Sequence, residues 1–369
     1  MRSERIALIV PYALSVFGGV QEQALAMSRE LARRGYEVAI IAPDEHDAAT
    51  YDTPALVRRF GRLVQLPANG SRAPLTLSLL AAKRAGDAVL DFQPDVVHFH
   101  EPFAPLVGWG VLRAHRSPAV ATFHRSGTGP ALRYTGSVLR RLARNIDVAV
   151  AVSESAATTI AGAVGLETRV LFNGFETERF VSSERRRDPG TLVVALGRLD
   201  ERKGTQYAIR AVQHHNAEHP EQWRLVIIGD GAQRATLERV ATGDRAVEFV
   251  GAVSDSQKRA WLRRANVVVA AATHGESFGL VLLEAMASEA SVVASDIDGY
   301  REAAGAHAVL FAPGDHRALE SAIGRALAQE TSVSVANARR HAQHWSMVAL
   351  VDAYEEVYEE ARQRFKVTR

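Results

Sequence analysis

Two glutamates, Glu276 and Glu284, stand eight positions apart in the run Gly275-Glu276-Ser277-Phe278-Gly279-Leu280-Val281-Leu282-Leu283-Glu284. This spacing predicts one carboxylate just before a helix and the other within it. Ser277 reads as the N-cap. The free backbone N–H groups of Phe278, Gly279 and Leu280, at the positive end of the helix dipole, suit a phosphate. With a rise of about 1.5 Å per residue, Glu284 lies roughly 9–11 Å beyond Glu276. That is too far for a pair sharing a proton, and it suits gripping both ends of one elongated ligand. A nucleoside diphosphate sugar has that shape, with sugar hydroxyls at one end, ribose at the other and a diphosphate between. Taken alone, the pattern fits a solvated loop glutamate and another on a helix face equally well.

A second set directly follows a predicted strand, in Gly197-Arg198-Leu199-Asp200-Glu201-Arg202-Lys203-Gly204. Arg198 can fork onto phosphate oxygens and Lys203 adds a compact charge, a pair able to stabilise a departing diphosphate. The bland reading pairs them with Asp200 and Glu201. Gly18-Gly19 before a predicted helix permits close backbone approach to phosphate, and His124 stands at a strand end in Thr122-Phe123-His124-Arg125. His98 and His100 could place two imidazoles on one strand face as metal ligands, and Asp296-Ile297-Asp298 has the form of an Asp-x-Asp metal motif. Neither is favoured: two histidines on a strand are weak evidence alone, and at the Asp-x-Asp run Arg198, Lys203 and a helix terminus already offer the positive charge a metal would bring; no metal and no resident cofactor are expected. Ser277 sits in no Gly-x-Ser-x-Gly elbow, so a serine triad is unsupported.

These groups need a scaffold. Short apolar runs alternate with helical patterns along the 369 residues, which argues for parallel strands joined by helices in two α/β domains. Strands are predicted near Ile6–Val10, Val38–Ile41, Val96–His98, Val120–Thr122, Val148–Val152 and Val170–Leu171, then near Leu192–Leu196, Leu225–Ile228, Val247–Val250, Val267–Ala270, Ser291–Ala294 and Val309–Phe311. The polar segment Val181–Gly190, ending in Pro-Gly, reads as the linker. In each half an early strand runs into a Gly-containing loop and a helix, the first helix extending from Val20 to Gly35. Ligands of such open sheets bind outside the carboxyl ends of the strands, so two such domains are expected to face each other across a cleft. An amphipathic run from Trp345 to Phe365 needs a hydrophobic surface to cover.

Composition narrows the classes. With 47% hydrophobic and 7% aromatic residues the chain can build two sheet cores, and with no cysteine it has no disulfide and no thiolate metal site, compatible with a reducing cytoplasm. The apolar run after Met1 continues into Pro11, Tyr12 and Gly18-Gly19, which reads as a first strand and not as a signal peptide. No stretch approaches 18 consecutive apolar residues, so membrane contact is expected to be peripheral at most. The formal charge of +2 comes with arginine clusters (140, 141 and 144; 185 to 187; 263 and 264) that lack interleaved aromatics, so nucleic acid is not expected as a partner.

Together with Pro11-Tyr12, Gly18-Gly19-Val20-Gln21, Asn69-Gly70-Ser71, His100-Glu101-Pro102, Ala121-Thr122-Phe123-His124 and Ala294-Ser295-Asp296, these motifs resemble one family across essentially the whole chain. The sequence resembles the retaining glycosyltransferases of the GT-B fold, family 4, and within them the phosphatidylinositol mannosyltransferases. Glu276 and Glu284 match that family's Glu-x7-Glu motif in its Gly-Glu-Ser-Phe-Gly context. The resemblance implies two Rossmann-like domains, 1–180 for the acceptor and 181–348 for the nucleotide-sugar donor, with a C-terminal helix at 349–369 returning to the first. It implies transfer of mannose from GDP-mannose to the inositol headgroup of a membrane lipid, with retention at the anomeric carbon, in the cytoplasm at the inner face of the plasma membrane.

By the same resemblance Gly19, Arg198, Lys203, Leu280 and Val281 hold the diphosphate, beside the backbone candidates Gly18, Phe278 and Gly279. Glu284 binds ribose, and Glu276 and His124 contact the transferred sugar. Gly229 belongs to the donor side, Val253, Asp255 and Lys258 surround guanine and favour GDP over UDP, and Tyr12, Gln21, Asn69 and Ser71 lie on the inositol side. The departures concern the acceptor. Ser15 stands where an aspartate is expected, Pro74 where an arginine is expected, and the basic membrane-facing segment keeps Lys83 and Arg84 but continues with Gly86 and Asp87. At about 1 kcal/mol per basic residue near an anionic surface, that loss weakens membrane capture. Other readings are a UDP-sugar-dependent transferase, a nonhydrolysing nucleotide-sugar epimerase, and a noncatalytic two-domain sugar-binding protein.

Overall fold

The computed structural model describes residues 3–16, 18–44, 51–68, 71–104, 106–124, 136–181, 188–276 and 278–368. The chain forms two compact units, Met1–Gly174 with Met347–Arg369, and Phe175–Ser346.

The first unit runs β1 (Arg5–Ile9), α1 (Gly19–Arg33), β2 (Glu37–Ala42), β3 (Leu56–Arg59), β4 (Val64–Ala68), β5 (Ser71–Leu75), α2 (Leu79–Phe92), β6 (Val96–His100), α3 (Val107–Ala114), β7 (Ala119–Phe123), α4 (Gly136–Ala143), β8 (Val148–Ala151), α5 (Glu154–Val164) and β9 (Arg169–Val170). Seven of these strands form a parallel sheet in the order β3-β2-β1-β6-β7-β8-β9. Its central strands are continuous apolar runs because helices cover both faces. Ile6, Leu8, Val38, Ile40 and Val96 pack on one face, while Ala7, Ile9, Val97 and Phe99 pack on the other. The strands β4 and β5 make a separate antiparallel hairpin with Val64 opposite Leu75 and Ala68 opposite Ser71. Neither β3 nor the hairpin is anticipated by the apolar runs.

The second unit runs β10 (Thr191–Leu196), α6 (Thr205–Glu218), β11 (Trp223–Ile228), α7 (Arg234–Val240), β12 (Val247–Gly251), α8 (Asp255–Arg264), β13 (Val267–Ala270), α9 (Leu280–Ala287), β14 (Ser291–Ser295), α10 (Asp298–Ala304), β15 (Val309–Phe311), α11 (His316–Ala328) and α12 (Ser332–Gln343). Its six parallel strands lie in the order β12-β11-β10-β13-β14-β15. The unit boundary precedes the predicted linker because Phe175 already belongs here: it bridges Ser346, donates its N–H to the Trp345 carbonyl, and packs its ring edge-on against Phe180. Residues 182–187 of that linker lie outside the described residues. Both units therefore have the doubly wound Rossmann-like sheet expected from the alternation of runs.

The last helix, α13 (Met347–Thr368), returns to the first unit. Met347, Leu350, Val351, Tyr354, Val357, Tyr358 and Ala361 join the core formed by β1 and α1, the surface that the amphipathic pattern requires. A buried polar chain adds direction to this packing. His98 on β6 shares hydrogen bonds with Tyr358 Oη at 2.9 Å and Thr122 Oγ1 at 2.7 Å, and Thr122 on β7 continues to Tyr354 Oη at 2.7 Å. Since both ring nitrogens of His98 are engaged, it is not a metal ligand. No described helix is long and apolar enough to cross a membrane.

Because a buried polar atom without a partner costs about 1–3 kcal/mol, Tyr358→Phe is expected to destabilise the first unit by about that amount. A fall in the urea midpoint at unchanged m-value would register it; an unchanged midpoint would show that the hydroxyl is dispensable.

Candidate active site

In a doubly wound sheet the crevice for a ligand opens at the carboxyl ends of the strands where strand order reverses. In the second unit that point lies between β10 and β13, which are neighbours although β11 and β12 intervene in sequence. Two loops meet there. The loop after β10 carries Gly197 to Gly204 and the loop after β13 carries Ala271 to Gly279. The Thr273 N–H and hydroxyl both donate to the Arg202 carbonyl, at 2.8 and 3.3 Å. Gly204 has φ +67°, and a Cβ there would lie 2.0 Å from the Ala271 carbonyl oxygen, so only glycine lets the loops close. Gly197, Arg198, Lys203, Thr205, Ala270 and Tyr300 line the resulting pocket.

Arg198 and Lys203 both line this narrow pocket, and Glu276 from the other loop meets Lys203. Lys203 Nζ lies 2.9 Å from Glu276 Oε1, and Arg202 Nη1 donates to the same oxygen. Arg198 is about half exposed, with Nε 3.5 Å from Asp200 Oδ2. Sequence reasoning passed over Arg202, whose side chain bridges the two loops by also donating to the Gly275 carbonyl at 3.2 Å. Its position inside the Arg198–Lys203 motif was the signal available. Burial, reinforced by the charge of Glu276, pushes the Tyr300 phenol well above its ordinary pKa, so it remains a neutral hydroxyl beside the site.

The helix following Glu276 begins later than the spacing predicts. Ser277 lies outside the described residues. The N-cap of α9 is Gly279, at φ +92°, where a Cβ would meet the buried Tyr300 ring at 2.7 Å. Leu280 and Val281 thus become the first two helical residues, whose amides have no intrahelical acceptor, and Phe278 is buried against Trp345. Glu284 does fall within the helix. Its Oε1 accepts from Lys258 at 2.8 Å, and Lys258 also lies 3.3 Å from Asp255. A capping box between Ser254 and Gln257 fixes the start of α8 and with it Asp255 and Lys258. Val253 is half-buried just before that cap. Gly229, at the carboxyl end of β11, packs so tightly that a Cβ would lie 2.0 Å from the Gly197 carbonyl.

The first unit gathers a different set at the ends of β1, β6 and β7. Gly18 caps α1 in extended backbone and Gly19 opens the helix with free space where a Cβ would stand. Gln21, expected on the inositol side, is buried and donates to the carbonyls of Ala13 and Val16, which makes it the brace of the glycine loop. Tyr12 is half-buried in that loop. Ser15 donates its hydroxyl to Asp44, at 2.9 Å, and Tyr51 donates to the same carboxylate. A carboxylate therefore does stand beside the position where the sequence lacks one. Ala13 N–H donates to the Pro74 carbonyl, which docks the hairpin on the loop. Asn69 lies outside the described residues, and of Ser71 only the backbone is described.

His124 follows β7, its N–H accepted by Glu101 and its Nε2 3.0 Å from His100 Nδ1. His98, His100 and His124 stack in succession, with centroids 4.7 and 5.3 Å apart. His100 Nε2 is buried without a hydrogen-bond partner. Asp296 and Asp298 both pair with Arg301, so that motif is closed by a cation of its own.

A model of glycosyltransferase family 4 matches residues 17–179, and one described as glycosyl transferases group 1 matches residues 190–329. The chain is 33% identical to the phosphatidyl-myo-inositol mannosyltransferase of Mycobacterium tuberculosis over 96% of this chain and 97% of that protein. It is 35% identical to that of Mycobacterium leprae over 86% of each. Among solved structures, sucrose-phosphate synthase from Thermosynechococcus elongatus matches with a TM-score of 0.76 at 22% identity, covering 99% of this chain and 100% of that one. Anabaena HepE in complex with UDP and glucose matches with 0.74 at 20%, covering 96% and 99%. These structural likenesses show the shared fold.

Burial holds His124 down to about 4 and His98 to about 3, and lowers His100 well below the ordinary 6.5. Above about pH 7 folded and unfolded chains are both neutral at these rings. As the pH falls through 6.5 toward 4 the unfolded chain takes up protons that the folded one refuses. Stability therefore drops by up to about 1.4 kcal/mol per pH unit for each ring. Urea midpoints are expected to fall between pH 7.5 and 5, with a shallower slope in His124→Asn; a flat wild-type profile would mean that the rings are protonated in the fold.

Proposed function

The chain belongs to glycosyltransferase family 4, and from that premise we propose that it transfers mannose from GDP-mannose to the inositol of phosphatidylinositol with retention at the anomeric carbon. The observation that carries the reading is the convergence of Lys203 and Arg202 on Glu276 at the β10/β13 reversal, with half-exposed Arg198 in the same loop. The identity to the mycobacterial mannosyltransferases supports the donor and acceptor.

In this reading the donor diphosphate takes over the charges of Lys203 and Arg198, with the first amides of α9 completing the cradle. The pair Lys258–Glu284 meets the nucleoside, Glu284 at the ribose and Lys258 with Asp255 at guanine. The acceptor oxygen bonds to the anomeric carbon as the bond from that carbon to the diphosphate breaks. Its proton passes to a donor phosphate oxygen, so no protein base is required. Glu276 orients the sugar and favours the positive charge that develops on its ring. Tyr12 and His124, on the first unit, are assigned to the acceptor and the transferred sugar.

A peripheral contact with an anionic bilayer belongs to the proposal, and its support is apolar more than basic. Leu77, Leu79 and Leu80 are exposed at the start of α2, the second of them 77% exposed. Lys83, by contrast, spends its charge on Asp87 at 2.7 Å.

The direct test is transfer of labelled mannose from GDP-mannose by the purified protein to vesicles with and without phosphatidylinositol. Label entering lipid only with phosphatidylinositol is the expected result. Donor cleavage without lipid label would discard the lipid acceptor, and activity with UDP-sugars alone would discard the donor. Arg198→Ala is expected to cut turnover by about 10²–10³-fold with little change in melting temperature, because the side chain is half exposed; full turnover would remove it from the mechanism.

A further inference from the structure

At the opposite end of the second sheet from the pocket, four side chains from two helices and a loop converge. His214 and His215 end α6, His219 is its C-cap, and Glu320 comes from α11. Trp223, the first residue of β11, lies beneath them, so the length of that strand, roughly 15–20 Å, separates this cluster from the donor pocket.

The cluster is built in layers. His215 stacks flat on buried Trp223, with ring centroids 3.5 Å apart and planes within 9°. Its Nε2 lies 3.0 Å from the Glu221 carbonyl. A carbonyl only accepts, so that nitrogen carries a proton and Nδ1 is the ring atom left to face Glu320. Nδ1 lies 3.5 Å from Glu320 Oε1. His214 Nδ1 holds the other oxygen of Glu320 at 2.7 Å, which fixes the direction of Oε1. His219 Nε2 lies 4.0 Å from the same Oε1. The loop that carries His219 is itself tied down: Gln222 donates to the carbonyls of Asn216 and His219, and the Asn216 side chain brackets both backbone groups of Trp223.

One ligand atom each from His215, His219 and Glu320 thus lie within 4.8 Å of one another. Tetrahedral zinc with bonds of about 2.0–2.1 Å sets its ligands about 3.3 Å apart, so exposed His219, which stacks on His215 with centroids 4.4 Å apart, swings off that stack to close the triad. The hydrogen bonds already made by His215 Nε2 and by Glu320 Oε2 are the outer contacts that hold metal-binding imidazoles and carboxylates in place.

We propose that His215, His219 and Glu320 bind one divalent transition ion of the zinc class, with water as the remaining ligand, and that the ion staples the end of α6 to α11. The donor set of two imidazoles and one carboxylate suits zinc over magnesium or calcium, which take all-oxygen sites. The site is independent of the proposed transfer reaction.

Titration of the tag-free, full-length protein with zinc chloride tests it, followed by calorimetry and by the melting temperature. One ion per chain is expected, with a rise in melting temperature that magnesium chloride does not reproduce. His219→Ala and Glu320→Gln should each weaken zinc binding at least tenfold and remove the rise. His219 is exposed, so its variant keeps the fold. No zinc binding by the wild type, or undiminished binding by both variants, would overturn the proposal, the latter assigning the ion to other histidines.

Discussion

The candidate site depends on the approach of two loops at the one place in the second sheet where strand order reverses. Parallel strands leave no backbone partner for the loops at their carboxyl ends, and the structure supplies one by seating Gly204 under the Ala271 carbonyl and tying Thr273 to Arg202. With those contacts made, Lys203 and Arg202 from one loop converge on Glu276 from the other. A side chain at position 204 would wedge the loops apart and separate the charges that define the site.

The same logic governs the charges. Each glutamate of the spaced pair holds a lysine delivered by a different element, Glu276 with Lys203 and Glu284 with Lys258, at 2.9 and 2.8 Å. The lysine and glutamate side chains are mostly buried, so leaving any of them unpaired would be costly. Pairing holds the two cations in place. Under the proposed function, a donor diphosphate would exchange one anionic partner for another, a smaller electrostatic change than charging an empty pocket.

The sheets were legible because buried parallel strands are uninterrupted apolar runs, and the twelve runs in the sequence coincide with strands of the two sheets. The edge strand β3 escaped notice since Leu-Val-Arg-Arg is half charged, and the hairpin since Pro67 and Pro74 argue against strands. Within the site, residue types were legible but partners were not. Glu276 and Glu284 are found on either side of a helix start, yet the cap is Gly279, because the Tyr300 ring from α10 occupies the space that a Cβ would need. Gln21 is expected on the inositol side, and only the fold reveals the two carbonyls that its amide nitrogen braces. His215 and His219 are visible as neighbours on a helix turn, while Glu320, which gives them meaning, lies a hundred residues away in sequence.

The C-terminal helix belongs to this argument as much as the sheets do. Side chains alternate across a strand, so His98 and His100 share one face of β6, with Thr122 beside them on β7. His98 is engaged by Tyr358 and Thr122, and Thr122 by Tyr354, which fixes the ring that stacks on His100. His100 in turn meets His124 through Nδ1. A displacement of α13 would therefore not be confined to the core: it would release the first ring of a three-ring stack whose last member stands at the mouth of the sheet. The chain's final helix thereby sets the position of a residue more than two hundred positions before it.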